Sequence, residues 1–157
     1  MARINYGYKD KYLFTASFRA DGSSRFGANN RYGYFPSAAL AWRVSEEDFL
    51  KNARVISDLK LRATYGSTGN QDGIGNYPAY SLLGTQNYIF GNAVSTGIGP
   101  SQIANPDLSW ETTTQADLGI DVGLFNNRIT FVADLYLKRT KDLLLNVTVP
   151  STSGYSS

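Results

Sequence analysis

Three carboxylates, Asp117, Asp121 and Asp134, occupy polar positions of two adjacent alternating segments, a placement that could supply the paired acid and base of a glycosidase. The simpler expectation is that they pair with Arg or Lys on a wet surface. "NQDGIGN" sets Asn70, Asp72 and Asn76 in loose imitation of a calcium loop, but it lacks the full ligand ladder and terminal Glu and reads as a glycine-rich loop. Tyr77, Tyr80, Tyr88 and Phe90 could stack on sugar rings or pack against a partner protein, since flat rings bind with little loss of rotamer freedom; the competing role is to fold their own loop. Arg25 and Arg31, within "RADGSSRFGANNRYGYFPS", could meet an anionic surface or a partner, with local pairing to Asp21 as the simpler account. The chain has no Cys and no His, which removes thiol nucleophiles, Cys/His zinc sites and every Ser-His-Asp arrangement. No enzyme, cofactor or metal site is expected.

At 157 residues one domain is the default, and 15 Gly and 11 Tyr against one Met favour strands and turns over helices. The net charge of +2 arises from 15 basic and 13 acidic residues spread along the chain, so no basic stripe offers itself to nucleic acid. "MARINYGYKD" has no apolar run of the signal-peptide kind. The longest uncharged stretch, Gly73 to Pro106, is too rich in Gly, Asn, Ser and Pro to form a spanning helix.

The elements that must position these residues read as strands. Tyr12, Phe14, Ala16 and Phe18 alternate with Leu13, Thr15, Ser17 and Arg19, and Ile4, Tyr6 and Tyr8 do the same just before them. A three-residue loop from Lys9 to Lys11 pairs Tyr6 with Phe14 and Ile4 with Ala16, apolar on apolar. A third strand carries Ala38, Leu40, Trp42 and Val44. "SEEDF" then predicts a short helix over about Glu46 to Asn52, with Ser45 as its cap. A fourth strand follows with Leu59, Leu61, Ala63 and Tyr65. A long glycine-rich connection runs from Gly66 to about Ser109, within which "YSLLGTQNYIF" could form a short hairpin. A two-residue Asn126-Asn127 turn is expected to close the last pair, with Leu124 on Ile129, Val122 on Phe131, Ile120 on Ala133 and Leu118 on Leu135. The opposite face then sets Asp117 by Tyr136, Gln115 by Lys138 and Gly119 by Asp134.

The fold class is therefore all-β: an antiparallel up-and-down meander of about six strands, each of roughly nine to eleven residues, with the dyad pattern of an outer-membrane barrel wall. Connections alternate short and long, as in such barrels. Tyr8, Tyr12 and Trp42 fall at the short-turn ends, and Phe18, Tyr34, Tyr65 and Trp110 at the long-loop ends, where lipid interfaces hold aromatic girdles. Arg19, Arg62, Asp117, Asp134 and Lys138 are expected to face the interior. A soluble β-sandwich carbohydrate-binding module shares the alternation and stands as the alternative.

Four motifs sharpen the choice: "YLFTASFRADGSSRFGANNRYGYFPSAALAWRVSEEDF", "DLKLRATYGSTGNQ", "NPDLSWETTTQADLGIDVGLFNNRITFVADLYLKRTKDLLL" and "VPSTSG". Together they span nearly the whole chain, which resembles the SusC/RagA family of TonB-linked outer-membrane proteins of Bacteroidota. The resemblance implies a plugged transmembrane barrel of about 22 strands in the outer membrane. It also implies active import of oligosaccharides or peptides, a SusD-like lipoprotein as partner, and coupling to the TonB-ExbB-ExbD system. Residues 1–157 would then be part of the barrel domain, a fragment without signal peptide, plug and remaining strands, with lipid on its outer face.

Overall fold

The computed structural model describes residues 1–50, 55–147, 150 and 155. Among the described residues eight strands form: β1 (Ala2–Tyr8), β2 (Tyr12–Gly22), β3 (Tyr32–Arg43), β4 (Ile56–Asn70), β5 (Leu83–Phe90), β6 (Ala93–Pro100), β7 (Glu111–Leu124) and β8 (Ile129–Lys141). Six make one sheet in the order β1-β2-β3-β4-β7-β8, and β5 and β6 make a separate hairpin. The chain divides into two units. One comprises residues 1–20, 34–69 and 112–141; the other comprises residues 21–33, 70–111 and 142–157.

In the first unit the register follows from the alternation. Tyr6 faces Phe14 and Ile4 faces Ala16, while Leu124, Val122, Ile120 and Leu118 face Ile129, Phe131, Ala133 and Leu135. A slip of one residue would put every apolar side chain on the wrong face, so the pattern specifies the pairing. The turns fix it further. Lys9 and Asp10 take φ of 51° and 54°; the β7–β8 connection is four residues, 125–128, rather than the expected two-residue turn, and Phe125, Asn126 and Asn127 take 53°, 55° and 59°, a left-handed run that Asn tolerates best. The hydroxyl of Ser57 accepts from the amides of Asn126 (2.7 Å) and Asn127 (3.3 Å), satisfying the turn.

The alternation has an inverted consequence for exposure. Ile4, Tyr6, Leu40, Tyr65, Leu118 and Leu135 all lie open, while on the inner strands β3, β4 and β7 polar positions such as Ser37, Arg62, Thr64, Asp117 and Asp121 are half-buried; the edge strands β1 and β8 are exposed on both faces for most of their length. A soluble β-sandwich would cover that apolar face, so this arrangement argues against the alternative expected above.

Two expectations need correction. The helix over Glu46 to Asn52 does not form where it can be followed: Val44–Glu46 is a single 3-10 turn, Glu47 is already extended (φ −75°, ψ 145°), and residues 51 and 52 lie outside those described. The cap is spent elsewhere, because the Ser45 hydroxyl donates to Asp58 Oδ1 at 3.1 Å. Trp110 does not belong to a girdle. Its ring lies 5.0 Å from that of Phe26, and its indole N–H donates to the Arg31 carbonyl.

In the second unit, Phe26 is fully buried and Ala79 nearly so. Asn30 donates to the Asp107 carbonyl at 3.1 Å. Gly27 lies so close to the Pro106 carbonyl that a Cβ there could not be accommodated. The hairpin suspected in "YSLLGTQNYIF" exists, but that stretch supplies only β5. Its partner β6 follows a turn at Gly91, whose φ is +63°.

Candidate functional site

The polar face of the first unit gathers charged residues from β4, β7 and β8. Arg62, midway along β4, donates through Nε and Nη2 to the two oxygens of Asp121 at 3.0 and 2.9 Å, and through Nη2 to Asp134 Oδ1 at 2.9 Å. The two-pronged contact is the fork geometry that guanidinium groups make with carboxylates. Room for it comes from Gly119, where a Cβ would fall 2.9 Å from Arg62 Nη2 and press on Asp134.

Asp117, one step toward the long-loop end, accepts from Thr64 Oγ1 and Gln115 Nε2, both at 2.7 Å, so each of its oxygens has a donor. Every carboxylate that could have formed a glycosidase pair thus accepts from a donor fixed within the sheet. Beyond Asp117 the face turns to hydroxyls. Ser17 and Ser37 share a 2.7 Å bond, and Thr113 and Thr140 one of 2.9 Å. A cavity of about 480 Å³ lies here, with Arg3, Arg19 and Lys138 among its walls.

On the apolar face a trough of about 650 Å³ runs between Tyr6, Leu40, Trp42, Leu118 and Leu135. The rings stack toward its ends: Tyr12 on Trp42 at 6.2 Å, and Phe18 on Tyr34 at 5.9 Å. At the short-turn end Glu47 accepts from Lys11 Nζ (2.9 Å), Tyr12 OH (2.8 Å) and Trp42 Nε1 (3.2 Å). Lys11 contributes most to holding the Glu47 carboxyl well below the ordinary range, at about 2, followed by Tyr12 and Trp42. Nothing in "SEEDF" announces this clasp, because two of its donors, Lys11 and Tyr12, lie 36 and 35 residues away in sequence.

Of the residues singled out from sequence, Arg62 and Asp134 meet directly; Arg19, Asp117 and Lys138 share the polar cavity. In the second unit, Arg25 donates through Nη1 to the carbonyls of Gln71 and Ile74, both at 3.4 Å, in place of the expected pairing with Asp21. Arg31 contributes its carbonyl, which accepts from the Ser23 amide and the Trp110 indole. Tyr88 and Phe90 project from one face of β5, with the Tyr88 ring lying over Gly97. Tyr77 and Tyr80 stand in the preceding turn, where the Gln102 amide donates to both their carbonyls at 3.0 Å. The rings of all four are exposed. The Asn70 side chain is already committed, accepting from the Asp72 amide and donating to Glu111, which suits an ordinary loop turn.

The whole chain, residues 1–157, matches the family described as TonB dependent receptor-like, beta-barrel. It is 48% identical over 156 residues to TonB-dependent receptor P39 of Formosa agariphila, covering 99% of this chain and 15% of that protein. It is 44% identical over 160 residues to TonB-dependent receptor SusC of Bacteroides thetaiotaomicron, again across 99% of this chain and 16% of the relative. Among solved structures, that of the RagAB peptide transporter superposes with a TM-score of 0.84 at 38% identity, over 98% of this chain and 17% of the other. The chain thus spans about a sixth of the length of these relatives.

Proposed function

The chain belongs to the TonB-dependent receptor-like β-barrel family, and from that premise we propose that it forms part of the wall of an outer-membrane active importer of oligosaccharides or peptides. The observation that carries the reading is the sheet turned inside out. One face is apolar and open, as a surface meeting lipid must be, and the other is polar and internally hydrogen-bonded, as a surface lining a solute path must be. Residues 1–157 would be one portion of a larger barrel domain, its edge strands β1 and β8 pairing with further strands and its polar face turned toward a plug.

Import would be powered through the TonB-ExbB-ExbD system, and a SusD-like lipoprotein would deliver solute at the long-loop end. That the relatives include SusC and a RagAB component supports this partner. Within the second unit, Tyr77, Tyr80, Tyr88 and Phe90 offer rings to solute or lipoprotein. Arg25 instead serves loop order, through its two carbonyl contacts. The chain performs no covalent chemistry in this reading.

The test is made in the full-length receptor that carries this segment. Cells expressing it should hold a heat-modifiable barrel in the outer-membrane fraction and take up labelled oligosaccharide or peptide only while TonB is functional. Recovery of the receptor in the soluble fraction, or uptake indifferent to TonB, would refute the proposal.

A further inference from the structure

The polar cavity differs in charge from the rest of its face. All six strands of the sheet contribute walls, and the charged ones are Arg3, Arg19 and Lys138 against the single carboxylate Asp117. Both oxygens of Asp117 are engaged by Thr64 and Gln115, which directs its charge into the wall. The Arg62, Asp121 and Asp134 cluster is not among the walls. Between the cations lie Ser17 and Ser37, whose shared 2.7 Å bond uses one O–H and leaves the other to donate, while the Thr64 hydroxyl is given to Asp117. The floor is kept low by Gly66, where an added Cβ would come within 3.0 Å of Ser37 Cβ. At about 480 Å³ the space suits one or two units of an oligomer.

We propose that this cavity is a subsite for a carboxylate carried on the polar solute. The proposal rests on the importer reading and adds to it a preference for acidic over neutral solutes. Cations on β1, β2 and β8, with one hydroxyl donor of the Ser17 and Ser37 pair between them, match an anionic group better than they match an amide or a bare hydroxyl group.

The experiment uses the full-length receptor, purified from outer membranes in detergent, and two pairs of fluorescent probes. A galacturonate oligomer is compared with a galactose oligomer, and a Glu/Ser peptide with its Gln/Ser counterpart. At least one acidic probe should bind about tenfold tighter than its neutral partner at low salt, and the pair that does so identifies the source of the carboxylate. Arg3→Gln with Lys138→Gln should cut that advantage to about threefold or less. Heat-modifiable migration of the variant confirms that the barrel is intact, and either single substitution serves if the double variant fails to assemble. An acidic advantage that is absent, or that survives both substitutions, overturns the subsite. If TonB-dependent uptake of neutral solute persists in that case, the importer reading stands without it; a wild-type receptor that binds none of the four probes and takes up none of them sinks both.

Discussion

On one face of the sheet Leu40, Leu118 and Leu135 are 58%, 63% and 76% exposed, whereas on the other the side chains of Arg62 and Asp121 are only 32% and 26% exposed. In a water-soluble sheet the order would be reversed, because apolar area is what water expels. The difference shows that the faces answer to different surroundings. Polar groups on one face satisfy one another and apolar groups on the other are left open, which is what the proposed barrel wall between a solute path and lipid requires. The two faces can therefore be separated by placing the same residue on each.

Leu118→Arg should produce the largest effect. Leu118 sits near the middle of β7, opposite Leu135 on the open face, and a guanidinium at mid-membrane depth on a barrel's lipid face costs about 2–4 kcal/mol. Gln115→Arg, three residues away on the polar face, should change stability by about 0.5 kcal/mol at most. Denaturant titration of the full-length receptor in lipid vesicles compares the two. Equal costs would mean that the faces do not meet different media.

Gly119→Ala ranks next, at about 1–3 kcal/mol, since the new methyl group has to displace Arg62 or Asp134 from a satisfied cluster. Arg62→Met relieves the crowding at Gly119, so adding it to Gly119→Ala should cost less than the two single costs summed. Strict additivity would mean that Gly119 is needed for some other reason. Ser37→Ala should cost less, about 0.5–1 kcal/mol, because the Ser17 hydroxyl it leaves behind is on a wet face. The same denaturant titration checks it, and a cost well above that range would show the hydroxyl belt to be dry.

These predictions start from residues that alternation alone could assign. Period two set the register of β1 with β2 and of β7 with β8 from local sequence, and with it the polar positions of Asp117, Asp134 and Lys138; the same period within β4 placed Arg62. What alternation carries no information about is which side chains meet once distant strands converge. Phe26 and Trp110 lie at opposite ends of the sequence pattern, so Trp110 looked like a girdle residue. β6, "AVSTGIGP", is short of strong strand formers and is held by pairing with β5, so it was harder to see than its partner. Arg3 was legible as polar but not as a wall of a charged cavity, which requires all six strands in place.

Glu47 tests the rim where the two faces meet. Tyr12 and Trp42 belong to the apolar face, yet each turns its polar tip to this carboxylate, which Lys11 also neutralises. The carboxyl's ordinary value is 4.5 and its folded value about 2, so folding favours the ionised form. A depressed value contributes stability that is complete above about pH 4.5 and is lost as pH falls through about 2. Glu47→Gln keeps an acceptor for Tyr12 and Trp42 but removes the charge that Lys11 meets. At neutral pH the effect should be the smallest of the set, because Gln keeps the bonds to Tyr12 and Trp42 and the half-buried ion pair is still reached by water and salt. Its signature is in the pH profile. Between about pH 4.5 and 2 the wild type should lose stability more steeply than the variant, measured by denaturant titration at each pH in vesicles of one composition. Parallel profiles would show that the clasp is not coupled to folding. The rim would then be set by the stacking of Tyr12 on Trp42 alone, and the boundary between the faces would be a matter of ring packing rather than charge.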